Sequence, residues 1–98
     1  MIDDRYMITE EERQKILGNV FSSLEPLKLK VLSAKEKKKI VILTKIVEQF
    51  EEGRDYTEPE VNEILMGIYP DYVSLRRHLI EYGFMERTPD GGRYWKKR

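Results

Sequence analysis

Several features that would point to a particular chemistry are missing from this 98-residue sequence. It contains no cysteine, which excludes disulfides and cysteine-ligated metals, and its single histidine has no convincing second ligand nearby. No Gly-rich phosphate loop, nucleophile elbow or H-E-x-x-H motif occurs. No apolar run approaches the length of a membrane span, and the first residues lack a signal-peptide pattern. The sequence therefore predicts a cytoplasmic protein that is not an enzyme, needs no cofactor or metal, and does not enter a membrane.

What the sequence does contain is a high proportion of charged residues, unevenly distributed. Charged residues make up 37% of the chain and hydrophobic residues 40%, which is typical of one small globular domain. The formal net charge is zero, yet residues 28–45 hold seven lysines against one glutamate, and residues 46–63 hold seven acids against one arginine. Residues 71–98 are basic again. Such runs usually form solvated surfaces, but they can also mark contacts with a charged partner.

Helix caps and apolar spacing divide the first half of the chain. Thr9, followed by three glutamates, predicts the start of a helix whose apolar stripe reaches Phe21. Residues 27–32 alternate apolar residues with lysine, as a strand or an extended segment does. Ser33 opens the tetrapeptide S-A-K-E, which predicts a capping box and the start of a central helix that Gly53 stops.

The second half of the chain carries further boundary signals. Residues 54–57 are expected to form a short extended piece, and T-E-P-E from Thr57 predicts a second capping box. Asp71 is the expected N-cap of another helix, which Gly83 stops. Short strands on either side of TPDGG, residues 88–92, are expected to form a β-hairpin.

This order of elements predicts the fold class. We expect an α+β, mainly α protein that is winged-helix-like: a long helix, a short strand, a helix-turn-helix and a C-terminal β-hairpin wing. An extra N-terminal helix and arm are expected over residues 1–26, and the winged-helix-like domain over residues 27–98.

Two residues of the second half are expected to have structural roles beyond the Asp71 cap. On a helical wheel of about 100° per residue, Arg76 falls beside the apolar stripe of its helix. A guanidinium in that position needs an acidic partner, for which Asp71, Glu60 and Glu63 are the candidates. Trp95 is expected to close the hairpin onto the core, although it could also stack on a base or a partner.

The opposite side of the same helix is expected to face solvent and could enter a major groove of DNA. Glu81 on that side weakens the hypothesis of DNA binding, and the alternative is an ordinary solvent-exposed helix face without a binding role. Basic residues at the start of the central helix and in the wing would contact phosphates. The candidate DNA-binding residues are Ser74, Arg77, His78, Lys35, Lys37, Lys38, Lys39, Arg87, Arg93 and Lys96.

The segment from Ser33 to Trp95, which is most of the chain, resembles a bacterial family usually described only as a domain of unknown function. The resemblance rests on K-K-K at 37–39, F-E-E-G-R-D-Y-T-E-P-E-V-N-E-I-L at 50–65, D-Y-V-S-L-R-R-H-L-I-E-Y-G-F-M-E-R at 71–87, and G-G-R-Y-W ending at 95. Members occur alone or fused behind an ArsR-type helix-turn-helix. The resemblance implies a transcription-related context and a winged-helix-like fold, but it implies no functional residues.

Two functions remain as hypotheses. The first is a DNA-binding transcriptional regulator of winged-helix type, whose partner is double-stranded DNA. The second is a protein-interaction or regulatory and sensor module on the same scaffold, without direct DNA binding. The zero net charge, Glu81 and the fused relatives, in which another domain looks like the DNA reader, favour the second. The N-terminal helix, through Ile16, Leu17, Val20 and Phe21, could form a homodimer.

Overall fold

In the computed structural model, which describes residues 7–97, four helices and five short strands follow one another along the chain. In chain order they are α1 (Glu10–Val20), β1 (Phe21–Leu24), β2 (Leu27–Leu29), α2 (Glu36–Val47), β3 (Asp55–Tyr56), α3 (Glu58–Met66), α4 (Tyr72–Glu81), β4 (Met85–Arg87) and β5 (Tyr94–Lys96). None of these helices is long and apolar enough to cross a membrane.

The strands form two antiparallel sheets. β1 and β2 make a hairpin, whereas β3, β5 and β4 make a three-stranded sheet in that spatial order. The strand before the helix-turn-helix of α3 and α4 thus pairs with the last strand of the hairpin that follows it. This is the connectivity of a winged helix, and the predicted α+β, mainly α, winged-helix-like fold class is confirmed.

The chain departs from the sequence prediction immediately after α1. The helix begins at its expected N-cap, where Oγ1 of Thr9 accepts a hydrogen bond from the Glu12 amide at 3.1 Å. It ends at Val20, however, and Phe21 opens β1 opposite Leu29 of β2 instead of continuing the helical stripe. The strand β1 has no alternating pattern of its own, and its pairing with β2 decides its conformation.

The predicted capping box at Ser33 is wrong. α2 begins at Glu36, its N-cap is Lys35, and no side chain caps it. Ser33 instead accepts a hydrogen bond on Oγ from the Lys35 amide at 3.0 Å, so its side chain is used in a local turn before the helix. The helix also ends earlier than predicted, at Val47, and Gly53 lies in a later turn with φ +76°.

α2 lies at the centre of the hydrophobic core, as its apolar residues on several faces predicted. Ile40, Ile42, Leu43 and Ile46 are at most 1% exposed. Each such side chain contributes about 1.5–3 kcal/mol by leaving water. The other elements contribute the core residues Leu17, Leu29, Val61, Leu65, Leu75, Leu79, Met85 and Tyr94.

The two caps predicted in the helix-turn-helix are confirmed. Oγ1 of Thr57 accepts from the Glu60 amide at 3.3 Å, and the Glu60 carboxylate accepts from the Thr57 amide at 2.8 Å. Asp71 accepts from the Ser74 amide at 3.3 Å. Because these bonds span only three residues, the sequence pattern alone is sufficient to place them.

The N-terminal segment packs into the same core as the rest of the chain. The β1–β2 pairing joins residues on both sides of the predicted boundary between residues 26 and 27. At the other edge of the hairpin, the Leu29 amide donates to the Ile68 carbonyl at 2.9 Å, and Nζ of Lys28 donates to the Gly67 carbonyl at 2.6 Å. The hairpin therefore supports the turn between α3 and α4. Residues 1–6 and 98 of the two predicted segments lie outside the described residues.

Candidate nucleic-acid interface

Three side chains of α4 are exposed, and they form one outward ridge. They are Val73, Arg77 and Glu81, spaced four residues apart on the side opposite the buried residues Leu75 and Leu79. Residues at this spacing lie above one another along a helix. Arg77 thus occupies the exposed position that the helical wheel predicted. Val73 does not, because the wheel placed it beside the core.

The other two candidates on α4 flank this ridge and are only partly exposed. Oγ of Ser74 donates to the Asp71 carboxylate at 2.7 Å and so belongs to the helix cap. The His78 side chain is 19% exposed, with Nδ1 at 3.2 Å from Oε1 of Glu81. Its ring also meets Tyr82 edge-on at 6.0 Å between centroids. Both side chains are held by their neighbours, whereas Arg77 extends into solvent.

Arg76 has an acidic partner, but not one of the three expected. Its Nη2 lies 3.5 Å from Oε1 of Glu58, and its Nη1 donates to the Asn62 side chain. The Tyr94 hydroxyl donates to the same Glu58 oxygen at 3.0 Å. This network joins α4, the first two turns of α3 and the wing strand β5, which is the middle strand of the three-stranded sheet. It therefore fixes how α4 and the wing face each other.

A groove of about 420 Å³ separates α4 from the wing. Three guanidinium groups and three carboxylates line it. The charged lining residues are Glu58, Arg76, Arg77, Glu81, Arg87 and Asp90, and Ile80, Gly91 and Tyr94 complete the lining.

The carboxylates of this groove all have donors from the protein itself. Glu58 accepts from Tyr94, and Glu81 is paired with the His78 ring. Asp90 accepts from the Thr88 hydroxyl at 2.7 Å and from the Gly92 amide at 2.9 Å. These bonds, with the Thr88 bond the largest cause, hold the pKa of Asp90 below its ordinary value. Each acid therefore has at least one polar partner within the fold, and Glu81 is engaged through Oε1 alone.

Two cations of the groove have no such partner. Within residues 7–97, neither Arg77 nor Arg87 forms an ion pair. Arg87 donates only to the backbone carbonyls of Thr88 and Pro89, at 3.2 and 3.3 Å. The charges of Arg77 and Arg87 act on Asp71 and Asp90 respectively without forming an ion pair, so both guanidinium groups can bind an anion from solvent.

The outer face of the β4–β5 wing carries the other wing residues for which the sequence predicted a role. Nε1 of Trp95 donates to Glu86 at 3.0 Å, and Arg93 lies 3.4 Å from the Asp55 carboxylate. Trp95 is only half-buried there, while its neighbour Tyr94 is 3% exposed and packs on the core. Tyr94, rather than Trp95, is therefore the β5 aromatic that closes the wing. Lys96, half-buried at the end of β5, forms no ion pair within the described chain.

The lysines at the start of α2 do not line this groove. Nζ of Lys37 lies 2.5 Å from the Glu12 carboxylate, which ties it to α1. Lys35 is exposed, and Lys38 and Lys39 are half-buried. The structure therefore separates two sets of candidates that the sequence had combined, one around α4 and the wing and one beside α1.

Within residues 7–97, no three or more histidine, aspartate or glutamate side chains are grouped so as to hold a metal ion. The fold and the charged groove together define a winged-helix-like protein. A family model described as an uncharacterized protein conserved in bacteria (DUF2087) matches residues 28–96, and the chain belongs to that family. Searches of curated proteins and of solved structures gave no match.

Proposed function

We propose that this protein is a winged-helix DNA-binding protein that acts as a transcriptional regulator. In this proposal α4 enters the major groove of double-stranded DNA and the wing holds the phosphate backbone. The observation that supports it best is that Arg77 and Arg87, which both line the groove, form no ion pair among the described residues, while each groove carboxylate has at least one polar partner in the protein. The function is one of binding rather than catalysis, and it belongs in the cytoplasm, where a bacterial chromosome lies.

Guanidinium groups suit this role because they bind phosphate and base edges through two parallel hydrogen bonds. Arg87 and Lys96 would supply about two phosphate contacts, which corresponds to a loss of roughly 12-fold in affinity between 50 and 200 mM salt. The zero net charge keeps long-range attraction weak. We therefore expect modest binding to DNA of arbitrary sequence.

The test is an anisotropy titration of a labelled random-sequence duplex at low and moderate salt. Arg77→Ala is expected to weaken binding by about tenfold or more, as loss of one charge-assisted contact does. Lys15→Ala, which removes one exposed positive charge on α1, is the matched control and should bind like the original protein. Circular dichroism confirms that each variant is folded. No binding at low salt, or equal binding by both variants, would refute the proposal.

The second candidate is a protein-interaction or regulatory and sensor module without direct DNA binding. It is favoured by the presence of Glu58, Glu81 and Asp90 beside three arginines in one groove, because a surface of mixed sign suits a protein partner of mixed sign. In relatives fused behind an ArsR-type helix-turn-helix, the fused domain would then read DNA. Folded protein that binds no duplex at low salt would favour this function over the first.

A homodimer is a separate proposal that both functions permit. Ile16, Leu17, Val20 and Phe21 are buried in the core of their own chain, so a dimer through α1 would use the exposed polar side of that helix. Sedimentation equilibrium over a range of protein concentrations tests it. A monomeric mass at every concentration would exclude the dimer.

A further inference from the structure

The outward ridge of α4 contains one apolar, one cationic and one anionic side chain. Val73 is 38% exposed, and within the described residues the Arg77 guanidinium forms no hydrogen bond or ion pair, although its charge acts on Asp71. Glu81 is engaged through only one oxygen, Oε1, by His78. At a rise of about 1.5 Å per residue, the ridge extends about 12 Å along the helix. That length matches three to four base-pair steps of about 3.4 Å.

Each of the three side chains has a complement on the base edges of the major groove. An apolar side chain contacts the thymine methyl group, an arginine donates two hydrogen bonds to guanine O6 and N7, and a glutamate accepts from the cytosine amino group. Of these three contacts, only that of the arginine has a counterpart at phosphate. A glutamate near phosphate is repelled, so it lowers affinity for every sequence that does not offer it a donor.

We infer that Val73, Arg77 and Glu81 determine the sequence specificity of this protein, and that Glu81 is a selectivity residue. The inference rests on the proposed DNA-binding function and deepens it. The preferred duplex carries a guanine at the position of Arg77, a thymine toward the start of α4 and a cytosine toward its end. Arg87 and Lys96, on the wing, supply contacts to phosphate that do not depend on sequence. On this assignment, Glu81 opposes binding to arbitrary DNA and favours binding to the preferred site.

The experiment is enrichment from a randomised duplex library by the full chain and by Arg77→Ala, Val73→Ala and Glu81→Gln. Affinities are then measured for the enriched duplex and for a shuffled duplex of equal composition. Arg77→Ala is expected to lose the preference for guanine, worth about 5-fold to 150-fold. Glu81→Gln keeps the shape of the side chain, and it is expected to bind the shuffled duplex more tightly and to show a smaller ratio of specific to non-specific affinity.

A base change provides the matched control for Val73. Deoxyuridine lacks only the methyl group of thymine, so the original protein should discriminate between the two and Val73→Ala should not. The slope of log affinity against log salt concentration should stay unchanged in Val73→Ala. In Arg87→Ala it should decrease by the amount that corresponds to about one phosphate contact.

The outcomes separate this inference from the proposed function. If the chain binds DNA but Arg77→Ala weakens all sequences equally and Glu81→Gln leaves the affinity ratio unchanged, the ridge does not read bases, although the protein still binds DNA. If the chain binds no duplex at low salt, the proposed function fails and the ridge assignment fails with it. Enrichment of a guanine-containing site that is lost in Arg77→Ala supports both.

Discussion

The Tyr94 hydroxyl donates a hydrogen bond to Oε1 of Glu58 across 3.0 Å and so connects the wing strand β5 to the first turn of α3. Arg76 lies 3.5 Å from the same carboxylate oxygen, which brings α4 into the network. The width of the groove between α4 and the wing therefore depends on one shared carboxylate.

Tyr94→Phe is expected to lower the free energy of unfolding by about 1 kcal/mol, the usual net contribution of a hydrogen bond. A larger loss is not expected, since the Glu58 side chain is 43% exposed and water can replace the lost donor. Urea denaturation provides the measurement, and Tyr69→Phe, at a half-buried tyrosine outside this network, is the control. Equal stabilities of the two variants would contradict the role assigned to Tyr94.

The Tyr94 side chain should also ionise later than an ordinary tyrosine. Burial, followed by the hydrogen bond to Glu58, raises its pKa above the ordinary value of 10.0. Because the folded state favours the neutral phenol, this stabilisation is complete below pH 10.0 and is lost as the pH rises through the raised value. The difference in alkaline ultraviolet titration between the original protein and Tyr94→Phe isolates this group. A difference curve centred at or below the ordinary value would refute the expectation.

Asp71→Ala is expected to destabilise the protein at neutral pH, because it removes the cap of α4. The Ser74 hydroxyl first, and the Ser74 amide second, lower the pKa of Asp71 below 3.8. Its stabilisation is therefore present above pH 3.8 and disappears as the pH falls through the lowered value. The stability gap between Asp71→Ala and the original protein should shrink in acid. Asp71→Asn keeps a capping oxygen and should stay close to the original at neutral pH. A gap that does not change with pH would rule out the charged cap.

Leu17→Ala should show that α1 is part of the core. Leu17 is 2% exposed, and replacing a buried leucine with alanine typically costs about 2–5 kcal/mol. Asn19→Ala, at an exposed position of the same helix, is the control and should change stability by about 0.5 kcal/mol at most. Thermal and urea denaturation measure both. If the two variants are equally stable, α1 does not belong to the cooperative fold.

Two glycines should respond to alanine in opposite directions. Gly18 lies exposed within α1 with open space around it, so Gly18→Ala is expected to stabilise the protein by about 0.5–1 kcal/mol. Gly91 has φ +74° in the wing turn, where a Cβ would meet only Arg87 Nη1 at 3.6 Å. Gly91→Ala is therefore expected to cost about 1 kcal/mol through its backbone alone. If the free energy of unfolding changed in the same direction in both variants, one of these two expectations would be wrong.

Short-range signals in the sequence were reliable only where the chain was free to follow them. The caps at Thr57 and Asp71 formed because each bond closes within three residues. The similar pattern at Ser33 failed to cap α2. Just upstream, the Lys30 and Val31 amides both donate to the Val20 carbonyl, which holds the chain against the end of α1. That attachment comes from the β1–β2 hairpin and is not visible in the local sequence.

The residues of the candidate site also differ in how well the sequence predicted their positions and partners. The exposure of Arg77 was predicted correctly from helical periodicity, whereas Val73 was placed beside the core although the structure exposes it. The sequence predicted an acidic partner for Arg76 but not Glu58, because which acid of α3 reaches Arg76 depends on how α4 packs against α3. Val73 could have been found from its position one turn before Arg77 on the same side of the helix.

The sequence by itself determined the order of helices, the wing and the two caps of the helix-turn-helix, because periodicity and bonds between close neighbours carry that information. Only the tertiary structure decided that α1 and the β1–β2 hairpin belong to one core, that Lys37 is bound to α1, and that Arg77 forms no ion pair within the described residues. The physical reason is that these relationships depend on contacts between residues far apart in the chain, whose partners no local pattern specifies.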